Sequence, residues 1–473
     1  MAHRVVVVGG GLAGMAAAVA LESAGVAVTL IEARKTLGGR AGSFEDPATG
    51  EILDNCQHVL LGCCTNLIDF YRRINVLNRI RWDSTIHFID ARGREHGLWG
   101  MKGMAAPLHL AAAGAMFAAL TLKERLALGR AMLAMLRLGP AGRAALSDKS
   151  FGQWLAQHNQ PANLIDKFYE LVLVSALNER CRDASAAYAI QVFQEGMLAH
   201  SLAYRMGTPA CPLGKLYETL PCRDVRLATR MTAIRFDGHR AAGVSIGDEN
   251  LDADAVVLAV NYPALEKWIP PELFQLDSRF GGLGQLQSVP ILGAHLWFDR
   301  PVISTPHAAL MGGPLQWLFR KPDGDGRAVH GVISAARDWV QKPKEECLEI
   351  FARQIRDTFP NARDAKLDRG VIVIEKRATF SPTPGADRFR PSQSPPPGGI
   401  VGLFLGGDYT QTGWPATMEG AVRSGYLAAE AVLHQPGRFL VPPLKSQWPA
   451  RLLQGSRTLP KPASIIRHLR SVL

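Results

Sequence analysis

The chain has 473 residues, 47% of them hydrophobic and 20% charged, enough to bury a large core and form two or more domains. A formal charge of +11 and a pI near 9.4 point to an anionic partner surface. With no zinc-finger spacing, RNP-like motif or lysine-rich arm, nucleic acid is excluded as that partner, and seven cysteines without C-x-x-C spacing exclude a disulfide scaffold or thiolate metal site.

Val5–Val8 is a β-branched run of the length of a buried parallel strand. It leads into the G-x-G-x-x-G turn Gly9–Gly14, a helix predicted from Met15 to Ala24, and a strand from Ala27 to Ile31 that ends on Glu32. This order predicts a dinucleotide site. Gly9 permits the tight turn, Gly11 lets a diphosphate reach the backbone, and Gly14 lets helix and strand pack closely. The helix N-terminus faces the negative charge and Glu32 accepts from an adenosine ribose. The same glycines, with Glu22, interrupt any signal-peptide core, so the chain is expected to be unprocessed and cytoplasmic. Cys63 and Cys64 are expected to be reduced core residues.

Gly38-Gly39-Arg40 forms a second phosphate-approaching loop, with Arg40 expected to bond phosphate oxygens. A nicotinamide-only fold has no need of it, whereas a cofactor stretched through the protein does, so the loop favours FAD. Leu53–Leu61 packs Asp54, Asn55, Gln57 and His58 ahead of an apolar run; taken alone, His58 reads equally as part of a hydrogen-bonded loop. Thr65–Ile74 reads as an amphipathic helix. Met104–Leu122 is apolar but rich in Ala and Gly, and is expected to be a buried or membrane-dipping helix rather than a span. Helices follow at Glu124–Leu138, Phe151–His158 and Leu164–Leu177, and a turn at Gly207–Pro212 closes the helical region near Tyr217.

Periodicity changes at Val225. Strands are predicted at Val225–Thr229, Met231–Phe236, Gly243–Ile246 and Ala253–Val260, a return to the nucleotide domain. Gly243–Gly247 matches the hydrolase pattern G-x-S-x-G but lies between strands, where that elbow cannot form. Strands at Gly293–Phe298 and Val371–Ile374, a helix at Lys344–Phe359 and a loop at Pro391–Gly399 come next. Val401–Leu405, Gly406-Gly407-Asp408 and a helix from Pro415 to Leu433 repeat the strand–glycine–helix unit, with Pro415 in the first helical turn. Asp408 is placed to accept from ribityl or ribose hydroxyls. From Arg438 to Leu473 there is no Asp or Glu, while Lys445, Arg451, Arg457, Lys461, Arg467 and Arg470 alternate with apolar residues and Trp448. This basic tail (435–473) suits either anionic headgroups or a solvated, self-packed end.

Gly9–Gly14 with Glu32, Gly38–Arg40, and Gly406–Asp408 with Trp414–Gly420 resemble the FAD-dependent amine oxidase and phytoene desaturase superfamily over nearly the whole chain. Within it, Leu53–Gly62 resembles the squalene-associated branch, the hydroxysqualene dehydroxylases, although Cys56 stands where that branch usually has glycine. The resemblance implies an α/β, GR2-type Rossmann-like fold with an inserted mixed sheet-plus-helices substrate domain. The FAD-binding domain would comprise 1–88, 214–264 and 398–434, and the substrate domain 89–213 and 265–397, with a tunnel open toward the membrane.

The resemblance assigns Gly9, Gly11, Leu12, Ala13 and Gly14 to the diphosphate, and Glu32, Ala33 and Arg34 to the adenosine. Gly38, Gly39 and Arg40 line the diphosphate and ribityl chain, and the Met231 backbone meets adenine. Asn55 and Cys56 pass the flavin, and Gly407, Asp408, Trp414, Ala416 and Met418 hold ribityl and isoalloxazine. The implied reaction is hydride transfer from reduced FAD to hydroxysqualene, with His58 as general acid and Gln57 and Asp54 positioning it. Expected partners are a polyisoprenoid lipid, an anionic surface on the inner face of the cytoplasmic membrane, and a separate reductase, since only one complete dinucleotide fingerprint is present. Rival readings are a phytoene-type desaturase, an amine oxidase using Trp414 with an unidentified aromatic partner, and a flavin-free isoprenoid escort, against which the intact glycines argue.

Overall fold

The structure, a computed structural model, describes residues 4–322 and 324–454. Its organising element is a five-stranded parallel sheet in the order Asp224–Arg226, Ala27–Ile31, Arg4–Val8, Ala255–Leu258, Leu403–Leu405. The valine run sits at its centre because both faces are covered, and Val5–Val8 are at most 6% exposed. Side chains alternate between two cores. Val5 and Val7 pack against the helices Leu12–Ser23 and Met418–Leu433, while Val6 and Val8 pack against Leu265, Ile269 and Phe280. The two helices meet backbone to backbone: a Cβ on Gly425 would lie 2.2 Å from the Ala13 carbonyl oxygen, so only glycine permits that approach.

A seven-stranded sheet forms the second layer system, in the order Leu367–Phe380, Ser288–Phe298, Ala328–Ile333, Trp317–Arg320, His307–Met311, Thr85–Asp90, Glu95–Trp99. Its neighbours are antiparallel except His307–Met311 with Thr85–Asp90. One face packs on the helix Lys344–Thr358 through Leu292, Leu296 and Leu318. The other carries Phe88, Phe319 and Val332 against the helical region between residues 111 and 198. Smaller sheets pair Ser43–Glu45 with Ile52–Asp54, and Met206–Pro209 with both Leu60–Leu61 and Ile80–Asp83. A three-stranded antiparallel sheet spans Ala233–Asp252.

Several expectations need correction. Met104–Leu122 is not one helix. It is broken into Leu108–Leu110 and Ala111–Met116 and ends at Phe117, because Pro107 and Gly114 weaken it and Thr121 starts the next helix. That helix, Leu122–Ala144, opens on a reciprocal Thr121–Glu124 cap and kinks at Gly139–Pro140, beyond its predicted end. Met206–Pro209, predicted within a turn region, is a strand, since its partners are distant in sequence and outweigh local Gly and Pro preferences. Ala186–Phe193, continued to Leu198, is helical, within the helical region expected to close near Tyr217. Pro415 precedes the last long helix, whose cap is Thr417. The 88/89 boundary cuts the strand Thr85–Asp90, and 265–286 pack on the parallel sheet rather than apart from it. Of the basic tail, Trp448–Leu453 forms a helix, while Arg457, Lys461, Arg467 and Arg470 lie outside the described residues.

Candidate active site

Three glycines of the first turn occupy three different environments. A Cβ on Gly9 would sit 2.4 Å from the Ala259 carbonyl oxygen, and one on Gly14 only 1.9 Å from that of Gly9. Both are glycine because strand and helix close on them. A Cβ on Gly11 meets nothing within 4 Å, and Gly11 caps the helix Leu12–Ser23 without any side-chain hydrogen bond. The positive end of that helix is therefore open, next to free space, at the residue expected to meet a diphosphate.

The other expected segments converge there. Gly38 N–H donates to the Gly10 carbonyl at 2.8 Å, and Asn55 Nδ2 donates to the Gly39 carbonyl at 3.1 Å. Gly406 lies beside Ala13. Glu32 accepts from the Gly10 N–H (2.7 Å) and the Arg34 N–H (2.8 Å), which fixes its carboxylate and leaves lone pairs for a ribose. The segment after Arg226 returns along Glu32, with Thr229 N–H on the Glu32 carbonyl, and carries buried Met231 into the same core. Ala33 is exposed just past the strand Ala27–Ile31, and Leu12 and Ala13 are buried in the first turn of the helix.

Arg40 and Asp408 meet directly, Nη2 to Oδ1 at 2.6 Å, although 368 residues separate them. Arg40 also donates to the Ala378 carbonyl. The pair engages one Arg40 nitrogen and one Asp408 oxygen, and the guanidinium has further N–H donors and the carboxylate a second oxygen. Burial alone would lower the Arg40 pKa, but Asp408 outweighs it and the net shift is upward. The Arg40 side chain keeps 37% of its exposure.

The Asp54–His58 loop lies at the junction between the parallel-sheet region and the broad sheet. Asp54 Oδ1 accepts from Ser43 Oγ (2.6 Å) and Leu213 N–H (2.9 Å); burial nevertheless raises its pKa. It anchors the loop. Gln57 Nε2 is 3.5 Å from the His58 carbonyl, the outer limit of a hydrogen bond. His58 is half-buried, and its Nδ1 lies 2.8 Å from the Cys56 carbonyl, which selects the Nδ1–H tautomer and leaves a lone pair on Nε2. Burial lowers its pKa, so the resting ring is neutral. Cys56 is buried and its thiol is pushed up to about 12, so it is inert filling rather than a nucleophile.

Three residues that sequence reasoning missed support these loops. His295 Nε2 lies 2.9 Å from the Asp54 carbonyl, and its ring is 4.0 Å from that of His330. Both rings are buried, which pushes His295 down to about 4 and His330 well below the usual range. A Cβ on Gly293 would lie 2.8 Å from His330 Nε2. Arg390, fully enclosed, donates to the carbonyls of Asp408 (3.1 Å) and Thr410, to Thr412 Oγ1 (3.0 Å) and to Tyr188, and so fixes the turn after Gly407. Strand histidines and a lone arginine carry no local signal. Only pairing the strands would have revealed the two histidines. Beyond that turn, Trp414 is flanked by the Arg423 guanidinium 6.0 Å from its ring centre, Ala416 is buried, and Met418 starts the helix.

Comparison with known proteins agrees with this arrangement. Residues 12–433 match the family described as flavin containing amine oxidoreductase. The chain is 27% identical to a 15-cis-phytoene desaturase of Synechococcus elongatus, covering 91% of this chain and 96% of that one. It is 30% identical to a hydroxysqualene dehydroxylase of Rhodopseudomonas palustris, covering 92% and 99% respectively. Among solved structures, an oxidoreductase of Methanosarcina mazei superposes with a TM-score of 0.68 at 15% identity, over 91% of this chain and 100% of that one.

Proposed function

The chain belongs to the flavin containing amine oxidoreductase family and is an FAD-dependent oxidoreductase; on that premise we propose that it removes the allylic hydroxyl of hydroxysqualene to give squalene. The observation that carries this reading is the polar loop Asp54–His58, held at the cleft by Ser43, Leu213 and His295 while its other side packs into an apolar cluster. Reduced FAD would supply a hydride to the carbon, and the departing oxygen leaves as water after gaining a proton. Electrons come from outside the chain, through a separate reductase.

The residues divide that work. Gly11, the open helix end, Glu32 and the Gly38–Arg40 loop hold the dinucleotide, and Arg40 with Asp408 tie its two halves of protein together. His58 Nε2 accepts a hydrogen bond from the substrate hydroxyl and, once protonated, donates to it. Because burial lowers its pKa, the protonated ring is a stronger acid than free imidazolium but is scarce at neutral pH. Turnover with reduced enzyme is therefore expected to fall as pH rises through that lowered value.

One observation favours a second reading. A neutral His58 with a free Nε2 lone pair is also a base, as a polyisoprenoid desaturase requires when hydride leaves carbon for oxidised FAD and a neighbouring proton is lost. The pH dependence then has the opposite sign. The deciding experiment incubates chemically reduced protein with hydroxysqualene, and oxidised protein with phytoene, and weighs the products. Loss of oxygen in the first supports dehydroxylation, and loss of two hydrogens in the second only would overturn it. His58→Ala should keep FAD and lose turnover by at least about 100-fold; near-normal turnover removes His58 from the chemistry.

A further inference from the structure

Among the described residues, fourteen large apolar side chains stay exposed, and ten of them come from three segments: 101–126, residue 202 and 448–453. The segments are neighbours in space. Gln447 joins all three, since its Oε1 accepts from the N–H groups of Ala106 and Ser201 and its own N–H donates to Ala199. The helix Trp448–Leu453 packs on Leu122–Ala144. The most prominent residues are Met116 (70% exposed), Leu122 (67%) and Leu126 (57%). Leu122 and Leu126 are four apart on one helical face, while Ala127 and Ala131 turn inward.

Exposed charge on these three segments has one sign. Lys102, Lys123 and Arg130 are exposed, with Arg125 and Arg451 partly so. From His96 to Ser147 the only carboxylate is Glu124, and it is buried, accepting from Thr121 and Asn163. Residues 196–205 and 431–454 contain no Asp or Glu. Apolar side chains ringed by Lys, Arg and a half-exposed Trp448 are the chemistry of a helix surface seated in anionic headgroups. A second copy of the chain would have to bring two positive rims together.

We propose that this face docks on an anionic lipid bilayer, with Met116, Leu122 and Leu126 entering the acyl boundary and the basic residues resting on headgroups. The face is the outer side of one apolar cluster. That cluster runs from Phe117, Leu120, Ala127 and Ala450 beneath the patch to Cys56, two residues from His58. The docking face and the reactive loop thus flank the same apolar cluster. The proposal rests on the lipid-substrate reading for its purpose and not for its test.

The test is sedimentation of the full chain, loaded with FAD, with vesicles of phosphatidylcholine alone or with about 30% phosphatidylglycerol. Wild-type protein should bind the anionic vesicles, more weakly as salt rises. The triple variant Met116→Ser/Leu122→Ser/Leu126→Ser should lose at least about 100-fold in partitioning. Lys123→Ala and Arg130→Ala should each lose about fivefold. Unchanged flavin absorbance and melting temperature show that the variants are folded. Wild-type protein that stays in the supernatant, or a triple variant that sediments like wild type, overturns the proposal. So does self-association of wild type abolished in the triple variant, which would assign the face to a second copy. Sedimentation reads no turnover, so this face and the dehydroxylation chemistry stand or fall separately.

Discussion

Replacing two glycines of one turn should produce opposite defects. In Gly14→Ala the new methyl would lie 1.9 Å from the Gly9 carbonyl oxygen, where 3.0 Å is the least that real Cβ atoms tolerate, so strand and helix must separate by about 1 Å. Overpacking of this kind costs about 1–3 kcal/mol or more, and here the neighbour is backbone, which cannot rotate away. In Gly11→Ala the methyl meets no protein atom within 4 Å, and the backbone (φ −75°, ψ 177°) is one that alanine adopts freely. Its cost to the fold is about 0.5–1 kcal/mol, the difference between glycine and alanine at a helix cap. The methyl does fill the space expected for the diphosphate, and losing that contact by a factor of at least about 100 in Kd corresponds to about 2.7 kcal/mol. Urea unfolding of apoprotein should therefore move Gly14→Ala further from wild type than Gly11→Ala. Titration with FAD should do the reverse for Gly11→Ala. A Gly11→Ala protein that binds FAD like wild type would refute the placement of the diphosphate, and an equally stable Gly14→Ala would refute the packing argument.

Stability should fall in mild acid. His109 and His295 are pushed down to about 4 and His307 to about 3, in each case by burial, while the unfolded chain titrates near pH 6.5. Between these values the unfolded state binds more protons, so stability is full above about pH 6.5 and is lost below it, about 2 kcal/mol per histidine at pH 5. Urea midpoints that do not change from pH 7.5 to pH 5 would contradict this. Arg390→Met should cost about 3–5 kcal/mol, since carbonyls at Asp408 and Thr410 lose a buried charged donor; a melting temperature within a degree of wild type would deny Arg390 its role in holding the turn. Turnover by reduced enzyme should decline with rising pH through the lowered His58 value, and the dependence should vanish in His58→Ala; a rising profile supports desaturation.

What could be read from the residues was what local chemistry encodes. Val5–Val8, the Gly9–Gly14 turn, Ala27–Ile31 and Glu32 form a contiguous code in which each step constrains the next, and Ala27–Ile31 was placed to the residue. The return of Gly406–Asp408 to the same region was also legible, because it repeats the strand–glycine–helix unit of the N-terminal turn. The Arg40–Asp408 pair was not, since each side chain was assigned to a cofactor and neither to the other. The strand Met206–Pro209 and the break at Phe117 depend on partners far along the chain. His295 and His330 look like any polar residues in strands until Ser288–Phe298 and Ala328–Ile333 are paired.

The central strand Arg4–Val8 is hydrogen-bonded to Ala27–Ile31 and to Ala255–Leu258, and the sheet is closed only by Leu403–Leu405. A ribosome making this chain therefore releases its first segment long before the last wall of the nucleotide chamber exists. Loading must wait until synthesis has passed the helix that ends at Leu433, so any message cut short before that point yields a colourless product. Yellow colour in a purified fragment would thus report both termini of the catalytic body at once.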